Sequence, residues 1–191
     1  MIVLRWVFWL MLKVYLGARY RVRVHGREQL GRLDGATLVM PNHPGYIDPF
    51  LIFMTFWPRL KMRPLVYGGN FKGLMGRFIV RLFNALEIPD LDVASARARE
   101  QTETAVGGVA DGLGRGESFS LWPSGHVQRA GIERIGSARS AADILRKAPG
   151  AHVLLVRTRG VWGSSWSYAQ TGKKPNLVGR ILTGLGWIVA N

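Results

Sequence analysis

The chain has 191 residues, 48% of them hydrophobic, and 26 Lys plus Arg against 12 Asp plus Glu, for a formal charge of +14. That length supports one domain with a full core, and the charge asks for an anionic partner: nucleic acid, an anionic membrane or a phosphorylated substrate. Cysteine is absent, which excludes disulfides, thiolate nucleophiles and Cys-bearing metal sites. His25 and His152 have no partner at metal-ligand spacing, so neither a metal nor another cofactor is expected.

Residues 1–18 open with MIVLRWVFWLMLKVYL, broken only by Arg5 and Lys13. The run is too short and too interrupted for a spanning helix, which takes about 20 apolar residues. It also lacks the basic start and small-residue cleavage site of a secretory leader. Arg5 and Lys13 are separated by about 80° around a helix. Both can snorkel from one side while Trp6, Phe8 and Trp9 enter lipid, so a membrane-embedded helix is expected, with Arg5, Trp6, Trp9 and Lys13 as membrane-binding residues. The alternative is a buried N-terminal helix. Arg19, Arg21 and Arg23 then alternate with Tyr20, Val22 and Val24. This pattern predicts a strand with its guanidiniums on one face, toward anionic lipid or toward solvent.

Residues 19–176 read as one domain in which strands alternate with helices. Strands are expected near 36–40, 64–67, 118–122 and 152–158. Helices are expected over 49–57, stopped by Pro58, and over 71–85, 94–116 and 137–147. The alternation predicts an α/β fold with a central mixed sheet flanked by helices. Residues 177–191 are apolar and glycine-rich, and are read either as a second membrane-touching segment or as a cut in a longer chain.

The first strand leads into PNHPGYIDP, Pro41–Pro49, which holds a His and an Asp five positions apart among three prolines and a glycine. Taken singly, these residues have plain structural readings. Asp48 suits a helix N-cap, Pro49 the first helical turn, and His43 a turn between prolines. Together, on a loop from strand to helix, they make a general base with a carboxylate to orient it. Ser124 invites a Ser-His-Asp reading, although its Pro-Ser-Gly setting is not the nucleophile elbow of the hydrolases.

Asn42-His43, four residues, then Asp48 resembles the first signature of the glycerolipid acyltransferase family, which includes the lysophosphatidic acid acyltransferases. Three further blocks follow in order: a basic and apolar stretch from Gly69 to Ile88, Leu121–Arg129 in place of a usual Phe-Pro-Glu-Gly-Thr-Arg, and the β-branched strand 153–157. The resemblance covers about residues 36–160. It implies that His43 deprotonates an acceptor hydroxyl as the hydroxyl attacks an acyl thioester, and that Asp48 orients His43. It also implies a fatty acyl donor on acyl carrier protein or coenzyme A, a lysophospholipid-like acceptor, and monotopic attachment to the cytoplasmic face of a bacterial inner membrane. Asn42, Lys72, Arg77, Ser124, Gly125, His126 and Arg129 are the candidate substrate-binding residues.

The third block departs from the pattern. Ser124 stands where Glu is usual, and His126 and Val127 stand where Thr and Arg are usual. An Arg usual near Ile88 is missing, with Asp90 there instead. Arg129 is the candidate to meet an acceptor phosphate in place of Val127. Two other functions are open: a lipid-binding relative without turnover, and a basic nucleic-acid-binding protein. Against the second, the arginines are scattered through apolar elements and no recognition motif is present. No nucleic-acid partner is expected.

Overall fold

The structure is a computed structural model that describes residues 1–88, 96–135 and 138–190. Five strands, β1 (Thr37–Pro41), β2 (Arg63–Tyr67), β3 (Leu86–Ile88), β4 (Phe119–Ser120) and β5 (His152–Val156), form one sheet in the order β3-β2-β4-β1-β5. Every pairing is parallel. The α/β class holds, but the expected mixed sheet is a parallel one. The reason lies in the connections. Each strand is joined to the next through a helix: α2 (Asp48–Leu60), α3 (Gly73–Phe83), α4 (Ala96–Gly114) and α5 (Ser140–Lys147). Such a crossover returns the chain to the same end of the sheet.

Strand β1, in the middle of the sheet, is buried on both faces because both are covered, while Val153 and Leu155 on edge strand β5 stay exposed. Leu38 faces one side, with Leu65, Phe119, Val109 of α4 and Ile144 of α5. Its neighbour Val39 faces the other, with Ile52 and Phe56 of α2. All five strands end at one edge, so the segments after β1 and β4, which are paired neighbours, emerge side by side.

Two segments differ from expectation in a way that matters for the site. The Tyr20–Val24 stretch is irregular instead of a strand. Tyr20 ends helix α1 (Ile2–Arg19), and Val22 and Val24 remain exposed, so the alternation buries no face. The helix after the first loop does not stop at Pro58 but continues to Leu60. Proline has no N–H to give to the carbonyl four residues back. That carbonyl, Met54 O, instead accepts a hydrogen bond of 2.8 Å from the Trp9 indole of α1. Trp9→Phe therefore leaves a partly buried carbonyl unpaired. It should lower stability by about 1–3 kcal/mol in urea unfolding while leaving the helix content unchanged.

β3 was not expected, because three residues carry no readable period; they form a short ladder with β2. The starts of the expected 94–116 and 137–147 helices, and Asp90, lie outside the described residues.

Helices gather on one side. α1 packs against α2 and also touches α3 and α6 (Leu177–Ala190). The aromatic rings of α1 do not project outward as a set. Phe8 packs edge-on to Phe53 and Phe83, and Trp6 packs edge-on to Trp57. The outward face is instead aliphatic: Val3, Val7, Leu10 and Val14 on α1, and Val178, Leu182, Leu185 and Val189 on α6. Both sets have the same i, i+4, i+7, i+11 spacing, one stripe on each helix. α3 adds Leu74, 88% exposed, and Met75. No helix among the described residues is long and apolar enough to cross a membrane.

Candidate active site

The loop between β1 and α2 is fastened on three sides. On the β5 side, Asn42 accepts from the Thr158 N–H at 2.6 Å and donates to the Thr158 carbonyl at 3.1 Å. On the β4 side, the His43 carbonyl accepts from Gln128 N–H at 2.8 Å, and the His43 N–H donates to Glu133 Oε1 at 3.0 Å. Behind the loop, Tyr46 N–H donates to Trp166 O at 2.9 Å. Gly45 sits hard against that last segment. A β-carbon there would meet Val161 Cγ1 at 2.7 Å and Trp166 O at 2.9 Å. Gly45→Ala should displace the loop. About 1–3 kcal/mol of stability should be lost, with a larger proportional loss of activity, as read by thermal unfolding beside turnover.

This clamping brings His43 to Asp48. Both carboxylate oxygens lie 3.0 Å from His43 Nδ1, with Oδ2 in hydrogen-bonding geometry. Asp48 does not act as a cap. Ile47 is the N-cap of α2, no side-chain cap bond forms, and the Asp48 carboxylate turns to the imidazole instead. An ionised carboxylate only accepts. Nδ1 therefore carries the shared proton, and Nε2 is left with a free lone pair. The His43 side chain is 15% exposed and that of Asp48 is 0% exposed, so the imidazole is accessible from outside while the carboxylate is not.

Burial pushes the Asp48 carboxyl up from 3.8 to about 6. The hydrogen bond and charge of His43 oppose the rise and the negative charge of Glu133 adds to it; the Trp122 N–H faces the carboxylate and lowers it slightly without closing a geometric hydrogen bond. Asp48 Oδ1 and Trp122 Nε1 are the buried side-chain atoms without a hydrogen-bond partner among the described residues. The Trp122 ring also lies 5.4 Å from the His43 ring between centroids, tilted by 42°.

The loop after β4 forms the opposing wall. Gly125 N–H donates to Trp122 O at 2.9 Å, closing a turn with Pro123 in its second position and Gly125 at φ +72° in its last. That conformation suits glycine at the end of such a turn. The Ser124 hydroxyl lies 2.6 Å from Glu133 Oε1 and 3.0 Å from His126 O. It hydrogen-bonds to Glu133 and not to His43, so no Ser-His-Asp array is assembled. His126, Gln128, Arg129, Glu133 and Arg134 line a half-open hollow of about 430 Å³, which neither His43 nor Asp48 lines. Arg129 also lies 6.0 Å from the ring of Tyr168, whose hydroxyl is 3.0 Å from that of Tyr46. Lys174 stands 5.5 Å from the Tyr46 ring. Burial, reinforced by Tyr168, pushes the Tyr46 phenol well above its ordinary range.

The expected residues thus divide. His43, Asp48, Ser124, Gly125, His126 and Arg129 belong to these two facing loops. Asn42 ties the loop to Thr158. Lys72 and Arg77 are exposed at the start and on the surface of α3, and no hydrogen bond or ion pair joins either to the His43 loop. Of the α1 residues, Arg5 donates to the Leu82 carbonyl, and to that of Arg81 at 3.4 Å, so its guanidinium caps the end of α3. Lys13 stands 4.9 Å from the Trp9 ring and Lys61 4.0 Å from that of Trp6.

Glu133 and Trp122 were not singled out from the sequence. Glu133 lies in an irregular stretch with no periodicity. Its one legible mark is that it is the sole acid between Glu117 and Asp143. No family model, no curated protein and no solved structure matches this chain.

Proposed function

We propose that this chain is a membrane-associated O-acyltransferase that moves a fatty acyl group from an acyl carrier protein or coenzyme A thioester to the hydroxyl of a lysophospholipid-like acceptor. The observation that carries this reading is the His43–Asp48 pair, with Nδ1 held by a buried carboxylate and Nε2 free. In the proposed reaction Nε2 takes the acceptor hydroxyl proton as the oxygen bonds to the thioester carbonyl carbon. The tetrahedral oxyanion then collapses, the C–S bond breaks, and the thiolate leaves with the proton from the imidazolium. Asp48 stabilises that imidazolium while it lasts. No acyl-enzyme forms on this route, which fits a Ser124 hydroxyl already engaged by Glu133.

Arg129 and Lys174, beside the Tyr46–Tyr168 hydroxyl pair, supply positive charge for an anionic acceptor head group. The aliphatic stripes of α1 and α6, flanked by Arg19, Arg21, Arg23 and Arg180, suit a bilayer surface carrying anionic lipid. The proposed seat is the cytoplasmic face of a bacterial inner membrane. A thiol-release assay tests the reading. Acyl-thioester donors should release thiol only when a lysolipid acceptor is added. Equal release without acceptor would mark hydrolysis and overturn the proposal.

A further inference from the structure

We propose that Glu133 is a positioning carboxylate of this site, fixing the His43 main chain and Ser124 and placing a second negative charge beside the imidazole. The inference rests on the acyltransferase reading of His43 and adds a residue that the four-block pattern does not contain.

Three observations carry it. One oxygen, Oε1, receives both the His43 N–H at 3.0 Å and the Ser124 hydroxyl at 2.6 Å. It therefore ties the loop after β1 to the loop after β4 at the residue that does the chemistry. Ser124 is buried at 2% exposure, and its hydroxyl is held between Glu133 Oε1 and the His126 carbonyl. Finally, the charge of Glu133 is felt at the dyad, where it opposes ionisation of Asp48. A negative charge there is complementary to the charge that develops in the proposed reaction when His43 takes a proton. Asp48 holds the ring and Glu133 the main chain of the same residue, while His126, Arg129 and Arg134 are the other titratable or charged groups lining that wall.

Glu133→Gln separates the two roles, since the Gln carbonyl oxygen can still accept both hydrogen bonds but carries no charge. Glu133→Ala removes both. The measurements are kcat against pH for acyl transfer, and titration of the Asp48 carboxyl by carbon NMR in the same proteins. In Glu133→Gln the plateau kcat should fall about tenfold, with the acceptor KM within about twofold, because the lost interaction belongs to the transition state. The Asp48 titration and the acid limb of kcat should both move to lower pH. Glu133→Ala should lose about a further tenfold. A Glu133→Gln protein with wild-type kcat and an unmoved Asp48 titration would overturn the proposal. So would a Glu133→Ala protein that loses only melting temperature. If Glu133→Ala does not fold, the Gln variant alone decides. Absence of acyl transfer in the wild type would sink the acyltransferase reading instead, and the Asp48 titration still judges Glu133.

Discussion

On the proposed acyltransferase reading, His43→Ala should lower kcat for acyl transfer by about 10²–10⁴-fold, the usual contribution of a positioned general base, while the KM for the acceptor should change only a few-fold. The split follows from the geometry. The ring is held by Asp48 on one side and is 15% exposed on the other, so in the proposed reaction it would meet the acceptor at its reacting hydroxyl and not along its acyl chain. The fold should survive, because the loop is held by the main chain of residue 43 through Gln128 and Glu133. One further consequence is specific to this site. His43 supplies the two strongest influences holding the Asp48 carboxyl down. In His43→Ala the titration of Asp48, followed by carbon NMR, should therefore move above about 6. Wild-type kcat in the variant, or an Asp48 titration that stays where it was, contradicts the pairing.

Asp48→Asn is expected to act on activity and stability in opposite directions. Asp48 must be ionised to hold the imidazolium, so wild-type activity should rise along an acid limb centred near pH 6. Stability runs the other way. The folded state binds the Asp48 proton more tightly than the unfolded chain does, since burial raises the carboxyl from 3.8 to about 6. Its contribution to stability is therefore complete below the unfolded value and is lost as pH rises through the folded one. A shift of about two units corresponds to roughly 3 kcal/mol. The Asn variant, which has no proton to lose, should gain on the wild type by up to about that amount between about pH 4 and pH 7. Its kcat should fall by about 10²-fold or more. Urea unfolding across that range checks the first part and the pH–rate profile the second. A stability difference that is flat with pH would show that burial of this carboxylate carries no energetic cost.

Much of this arrangement was legible in the sequence, for identifiable reasons. The layered α/β class followed from strands alternating with helices, and the His43–Asp48 loop stood out because prolines and a glycine surround two chemically complementary residues. The parallel character of the sheet was not read, although helices between successive strands imply it. The course of α2 through Pro58 was hidden, because the group that satisfies Met54 O is Trp9, 45 residues away. The contacts of Arg5 to the last carbonyls of α3 were likewise hidden, because those carbonyls are more than 70 residues distant. Glu133 was missed for the same reason. A carboxylate in an aperiodic loop gains its meaning only when β1 and β4 pair and bring Ser124 and the His43 main chain to it. Local pattern reveals what a residue can do, and the partner it does it with is set by topology.

The most direct test of the central claim is a product assay. Wild type and His43→Ala, purified in mild detergent, are offered acyl carrier protein and coenzyme A thioesters with a panel of lysolipids, and diacyl products are read by mass spectrometry. The account predicts a diacyl lipid from the wild type with at least one donor–acceptor pair, reduced about 10²-fold or more in His43→Ala. Equal amounts of product from both proteins, or none from either with any pair, would contradict it.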